Sequence, residues 1–281
     1  MMGGIWAALG IVCFFILAAI RFAFLLRDIN IHQAVGNSAK EGICQTTGSR
    51  ENQADRAQVW KNTAGTMAVL ADGIGSANTG MLCAQIAVDT ILDRFEPYKS
   101  LNDPIYFFKT AFYEANRHIQ DTIGERNGGA SAGAVFMDKT HLYYAAAGNV
   151  RIAILRGEEL IPLSRGQTMD VLAAQAYEEG KISRQEAIWS MGEKRIWNYL
   201  GGDGFHEIEV CHQPIRLKQG DKVLLVSKGI FEELSWREME DILLDTQPPQ
   251  KLAERLVFEA ERKENPEKDN GSVIVIGGGR F

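Results

Sequence analysis

The stretch TMAVLADGIGS, residues 66–76, ends an apolar run in an acidic, glycine-rich turn at Asp72. EKDNGSVIVIGG, residues 267–278, places Asp269 just before a second β-branched run, and LLVSKGIFEEL, residues 224–234, carries Lys228 in a third such turn. If the three turns converge, the two carboxylates form a site for a hard metal ion and the lysine puts a fixed cation into it. The function of the chain therefore depends on Lys228.

The segments around these turns predict a layered arrangement of strands and helices. VWKN (59–62) and TMAVLAD (66–72) predict a hairpin, and residues 81–95 and 106–123 repeat apolar residues at the three- and four-residue spacing of core-facing helices. Four consecutive short strands in 133–164 predict a meander. Further predicted elements are helices in 169–180, 183–191, 236–245 and 249–264, and strands in 207–217, 222–227 and 272–278.

Runs of antiparallel strands with helices in pairs indicate an α+β fold, in which two central antiparallel sheets are flanked by helices. The helix in 183–191 has Ser183 and Glu186 at the spacing of a capping box.

Length and composition limit the functional classes. The 281 residues, 46% of them hydrophobic, can bury one sizeable core. The formal charge of −6 and the lack of a basic stripe argue against a nucleic-acid partner. Four scattered cysteines without CxxC spacing argue against a thiolate metal site and fit a reducing compartment.

The N-terminal run IWAALGIVCFFILAAIRFAFLL, residues 5–26, contains a single charge and is long enough to cross a bilayer as a helix. A cleaved signal peptide is the alternative, but no basic region precedes the run and no small-residue cleavage site closes it before Arg27. Arg21 and Arg27 lie at its C-terminal end, which predicts a single-pass anchor in the cell membrane with the following domain in the cytoplasm. The predicted organisation is an anchor (1–27), a polar linker (28–48) and one large domain (49–281).

Seven segments match, in order, the motifs of one enzyme family. They are SRENQAD (49–55), ADGIGSANTG (71–80), GASAGAVFM (129–137), the hairpin and following stretch in 145–169, the insert in 177–202, SKGIFEEL (227–234) and KDNGSVIVI (268–276). Over residues 45 to 278 the chain thus resembles the PPM family, the metal-dependent protein serine/threonine phosphatases of type 2C. The resemblance implies a four-layer α-β-β-α sandwich and hydrolysis of phosphoserine and phosphothreonine in proteins.

The resemblance also implies roles for individual residues. Asp72 and the carbonyl of Gly73 correspond to the position that bridges two Mg²⁺ or Mn²⁺ ions, and Asp269 to a ligand of the first ion. Asp55 corresponds to an acidic position near the metals, and Arg50 to the arginine that binds the phosphoryl group. Two divalent ions about 3.5 to 4 Å apart would supply the nucleophile and neutralise phosphoryl charge.

The departures from the family pattern fall in the same site. Asn149 replaces an Asp, Ala54 a Glu and Ser76 a Gly, and Lys228 replaces an Asp that ligates the first metal. Exchanging a carboxylate for an ammonium changes the local charge by two units, and a like charge near 4 Å costs roughly 4 kcal/mol at an effective dielectric constant of 20. We therefore expect one bound ion or none, and two only if Lys228 swings outward.

Three interpretations stay open at this point. The first is a membrane-anchored pseudophosphatase that binds a phosphorylated, membrane-proximal protein and regulates it. The second is a slow but active Mg- or Mn-dependent phosphatase. The third is a structural subunit of a membrane complex whose site is vestigial.

Overall fold

The computed structural model describes residues 41–62, 65–95, 102–190 and 195–277. The predicted anchor and the first part of the predicted linker lie outside these residues. Among the helices that are described, none combines the length and the apolar character needed to cross a membrane.

Two antiparallel sheets contain the strands of the described residues. In sheet A the strand order is β1-β11-β10-β6-β7, and in sheet B it is β2-β3-β4-β5-β8, with β9 also pairing with β5. The strands are β1 Glu41–Thr46, β2 Arg56–Asn62, β3 Gly65–Gly75, β4 Gly128–Met137, β5 His141–Ala147, β6 Arg151–Arg156, β7 Glu159–Pro162, β8 Glu209–Val210, β9 Ile215–Arg216, β10 Lys222–Val226 and β11 Gly271–Gly277.

The described residues also form helices, and two of them pack on the outer face of each sheet. They are α1 Ala77–Asp93, α2 Pro104–Ile123, α3 Met169–Glu178, α4 Arg184–Ser190, α5 Lys228–Phe231, α6 Trp236–Leu243 and α7 Pro249–Glu261. Ser183 and Glu186 exchange hydrogen bonds in front of α4, so the predicted capping box is confirmed.

Three apolar clusters show the layering. One joins α1 and α2 to sheet B through residues such as Phe108 and Phe112, and another joins α6 and α7 to sheet A through residues such as Leu252. The third, with Leu70 and Ile274, lies between the two sheets. Because strand side chains alternate between the two faces, each sheet contributes to two clusters. The described residues thus form the α-β-β-α layers that were predicted.

The structure differs from three sequence predictions about strands. Glu41–Thr46, inside the predicted linker 28–48, forms β1 and pairs with β11, so the folded part begins earlier than residue 49. The predicted meander is wrong at its third strand, because β6 leaves β5 and joins β10 and β7 in sheet A. Periodicity indicates a strand but does not tell which sheet it enters.

The predicted strand in 207–217 is interrupted. Val210 pairs with Ala145 and Ile215 with Leu142, and the residues between them leave the ladder. Pro214 lies in this interruption, and a proline has no N–H to donate to a ladder. The hairpin of β2 and β3 is confirmed, with Trp60 opposite Met67.

Candidate active site

A cavity of about 480 Å³ lies where the ends of the two sheets meet. Its lining includes all but one of the residues predicted for the site: Arg50, Asp72, Gly73, Lys228 and Asp269. The three turns quoted from the sequence therefore converge. The exception is Asp55, which is buried and is not part of the lining.

Asp72 reaches the cavity because β3 continues past it to Gly75, opposite β4. The backbone of Gly73 packs against α1: a Cβ on Gly73 would lie 2.3 Å from the carbonyl oxygen of Gly80. This close approach requires glycine at position 73 and fixes the turn that carries Asp72.

The carboxylate of Asp269 lies between two cations. Its Oδ1 is 3.3 Å from Nε of Arg50, and its Oδ2 is 3.2 Å from Nζ of Lys228. Lys228 also faces Glu232, at 3.8 Å, and its backbone amide donates to Oδ2 of Asp72 at 3.3 Å. Lys228 thus contacts both predicted metal-binding carboxylates, one through its ammonium and one through its backbone.

Asn270 holds the loop that carries Arg50. Its side-chain amide donates to the carbonyls of Thr47 and Asn52, and its Oδ1 accepts from the amide of Ala54 at 2.8 Å. The amide of Ser49 also donates to the carbonyl of Lys268. These bonds fix the loop on the turn of Asp269 independently of the Arg50 side chain.

Asp55 links the two sheets. It precedes β2 of sheet B, and its Oδ2 accepts from the hydroxyls of Ser227 at 2.6 Å and Ser272 at 2.7 Å, which lie at β10 and β11 of sheet A. Its Oδ1 is buried without a hydrogen-bond partner among the described residues. Burial, and then the charge of Asp72, raises the pKa of Asp55 well above its usual range, although the two serine hydroxyls oppose the shift.

The carboxyl group of Asp72 is hard to ionise. Burial, and then repulsion from Asp269, raises its pKa to about 7, against the opposing effect of Lys228. Burial alone would lower the pKa of Lys228, but Glu232 and Asp269 outweigh it and raise that pKa above its ordinary value. Lys228 is therefore protonated at neutral pH and is a second cation of the site beside Arg50.

Asn149 also lines the cavity, at the turn where the chain crosses from β5 to β6. Its backbone N–H donates to the hydroxyl of Ser131 at 3.3 Å. Its side-chain Oδ1 is buried without a hydrogen-bond partner among the described residues. Gly148 makes this turn with φ +86° and lies so close to Ser131 that a side chain would clash.

The carboxylates that were predicted as metal ligands are paired with protein groups in this structure. Of the two carboxylates in the lining that were predicted as ligands, Asp269 already carries Arg50 and Lys228. Within the residues that the structure describes, no group of three or more His, Cys, Asp and Glu side chains is arranged to hold a metal ion. Asp55, Asp72, Gly73 and Asp269 stay predictions as metal ligands.

Sequence reasoning missed the positioning residues. Asn270 follows Asp269 directly, and Ser227 precedes Lys228, so each motif contained its supporting residue. An Asn in a glycine-rich turn is a signal for side-chain bonds to nearby backbone, but its partners here are more than 200 positions away. Distant pairing of this kind is not visible in local spacing.

Known proteins with similar sequences or structures are serine/threonine phosphatases. No protein-family model matches the chain. The protein phosphatase PhpP of Streptococcus pneumoniae is 27% identical over 221 residues, which cover 74% of this chain and 85% of that protein.

Two solved structures share the architecture. The serine/threonine phosphatase of S. agalactiae superimposes with a TM-score of 0.73 at 20% identity, covering 84% of this chain and 98% of the other. The catalytic domain of the serine/threonine protein phosphatase PstP, in complex with two manganese ions, gives 0.65 at 22% identity, covering 84% and 97%. The homologues of this chain are PPM-type serine/threonine phosphatases, and it shares their fold.

Proposed function

We propose that this chain is a phosphatase-like domain that binds phosphorylated protein and has lost most or all metal-dependent hydrolysis. The observation that carries the proposal is the ammonium of Lys228, which lies 3.2 Å from Asp269 in the cavity that also contains Asp72. A protonated amine at this distance repels a divalent cation and competes with it for the same carboxylate. The lysine thereby neutralises the negative charge that would attract a first metal ion, and it occupies Asp269, the carboxylate that would ligate that ion.

Phosphate recognition does not depend on that ion. Arg50 is more than half exposed at the rim, and its loop is fixed by Asn270. A guanidinium presents several N–H groups in a planar fork that suits a phosphoryl group. These features support binding of a phosphoserine or phosphothreonine side chain by a domain that hydrolyses it slowly or not at all.

A slow Mg- or Mn-dependent phosphatase is the second candidate. The Lys228 side chain is 38% exposed, and solvent next to it leaves room for an outward rotamer. In that rotamer Asp72, the carbonyl of Gly73 and Asp269 would be free of the ammonium.

We also propose that residues 5–26 anchor the domain in the cell membrane and that the domain faces the cytoplasm. The support is the apolar run with its single charge, Arg21, which lies with Arg27 towards its C-terminal end. Tethering raises the effective concentration of membrane-proximal partners, which a weak binder needs.

The deciding experiment uses the purified full chain in a non-ionic detergent. A phosphothreonine peptide and its unphosphorylated counterpart are titrated for binding, and phosphate release is measured with Mn²⁺. We expect selective binding of the phosphopeptide, a loss of that binding in Arg50→Gln, and negligible release. Release that needs Mn²⁺ and disappears in Asp72→Ala would contradict the proposal and establish the second candidate.

A further inference from the structure

The carboxylate of Asp269 lies between two cations, as a bound anionic ligand would. Each of its oxygens faces a different cation, Oδ1 the guanidinium of Arg50 and Oδ2 the ammonium of Lys228. The two cations come from segments far apart in the sequence, and one carboxylate fills the space between them. A phosphoryl group presents two oxygens in a similar way and carries up to two negative charges at neutral pH.

The ion pairs of Asp269 are exchangeable. The side chains of Arg50, Lys228 and Asp269 are 56%, 38% and 34% exposed. Ion pairs with this much solvent contact contribute little to stability. A ligand with two negative charges is attracted to the two cations more strongly than a carboxylate with one, so it can displace the carboxylate.

Both cations stay in place if the carboxylate leaves. The loop of Arg50 is bound through its backbone to Asn270. Lys228 begins α5, and its own amide is bound to Asp72. The Oδ1 atom of Asp269 also accepts a hydrogen bond from the backbone N–H of Asn270, and this bond breaks when the carboxylate rotates away. The exchange therefore requires side-chain rotation and no rearrangement of the fold.

We infer that Asp269 is an internal competitor for an oxyanion: a phosphomonoester takes its place between Arg50 and Lys228 without a metal ion. The inference rests on the proposed function and specifies how the phosphoryl group is recognised. It reverses the expected role of Asp269. A metal ligand supports phosphate binding, whereas an internal competitor opposes it.

The test is calorimetric titration of inorganic phosphate into the full chain in EDTA at pH 7.5. We expect wild type to bind phosphate and Asp269→Asn to bind it at least about tenfold more tightly, because a like charge next to the anion is removed. Arg50→Gln and Lys228→Gln should each weaken binding by about tenfold or more. Asp241→Asn and Lys251→Gln, which alter exposed charges on α6 and α7, are the controls and should match wild type.

Two results would overturn the inference. One is phosphate binding by Asp269→Asn that is equal to or weaker than that of wild type, with a thermal melt showing that the variant is folded. The other is phosphate binding by wild type only when Mn²⁺ is present. If the phosphopeptide still binds in EDTA and loses that binding in Arg50→Gln, but is insensitive to Lys228→Gln and Asp269→Asn, the proposed function survives and only the exchange fails.

Discussion

The backbone amide of Lys228 donates to Asp72 at 3.3 Å, so the two turns that carry these residues are joined in the absence of any metal. The ammonium of the same lysine is bound to Asp269. One residue thus ties together both acidic turns. Its removal should change how the site responds to divalent cations.

Lys228→Asp should make the domain responsive to metal. In EDTA the variant has a third carboxylate next to Asp72 and Asp269, and we expect a lower melting temperature. Repulsion between the carboxylates lowers the free energy of unfolding by at most about 4 kcal/mol, and by less with solvent screening. Mn²⁺ should restore the melting temperature and raise phosphopeptide hydrolysis at least tenfold. Thermal melts with and without Mn²⁺ measure the effect, and Lys251→Asp, at an exposed position of α7, is the control. An identical Mn²⁺ response in both variants would show that Lys228 does not exclude the metal.

Asp55 should matter for stability through its two serine bonds. Asp55→Ala leaves the hydroxyls of Ser227 and Ser272 without their buried acceptor, and we expect the free energy of unfolding to fall by about 2 to 4 kcal/mol. Asp55→Asn keeps an oxygen acceptor and should cost clearly less. Urea unfolding of the three proteins compares them. Equal losses for Ala and Asn would mean that the charge, and not the hydrogen bonds, holds the sheets together here.

The pKa of Asp72 predicts how the stability of the metal-free domain depends on pH. Its folded-state pKa of about 7 lies above the value of about 4 in an unfolded chain, so the folded protein binds more protons between these pH values. The free energy of unfolding should therefore decrease as pH rises from about 4 to about 7. In Asp72→Asn this decrease should be smaller, and at pH 8 the variant should be more stable than wild type. Urea unfolding in EDTA at several pH values measures both curves, and parallel curves would contradict the assignment.

Gly73→Ala should disrupt the site from its backbone. The new Cβ would lie 2.3 Å from the carbonyl oxygen of Gly80, and strand and helix must separate to admit it. We expect a loss of at least about 2 kcal/mol in the free energy of unfolding and weaker phosphopeptide binding. Gly204→Ala is the matched control, because no atom lies within 4 Å of its added Cβ. If both variants unfold at the same urea concentration, the close approach at Gly73 does not contribute to the free energy of unfolding.

Periodicity and turn residues predicted most of the fold, and the resemblance to the PPM family indicated which residues line the cavity. The hairpin ending at Asp72 and the helices in 77–93 and 104–123 follow from local pattern, which is strong in long amphipathic segments. The strand in 41–46 was missed because its six residues contain two adjacent apolar side chains, Ile43 and Cys44, and show no alternation of apolar and polar residues. Which sheet β6 joins is decided by its partners, β10 and β7. The partner β10 is distant in sequence, so a local pattern does not predict the pairing.

The site was predictable in its membership and not in its connections. Convergence of the turns at Asp72, Lys228 and Asp269 followed from their shared form. The inter-sheet role of Asp55 depends on serines at β10 and β11, and the support of Arg50 depends on Asn270, more than 200 positions away. Such contacts appear only once the chain is folded.

The strand order of sheet A has a consequence for synthesis of the protein. β11 lies between β1 and β10, although it is the final strand of the described residues and β1 the first. The strands β2 to β5 of sheet B follow one another in sequence and can pair as they leave the ribosome, whereas β1 has no strand partner until residues 271–277 emerge. Asp269 arrives with that strand. A chain that stops before residue 271 therefore lacks the strand that joins β1 to β10, and the backbone edges of both strands stay unpaired.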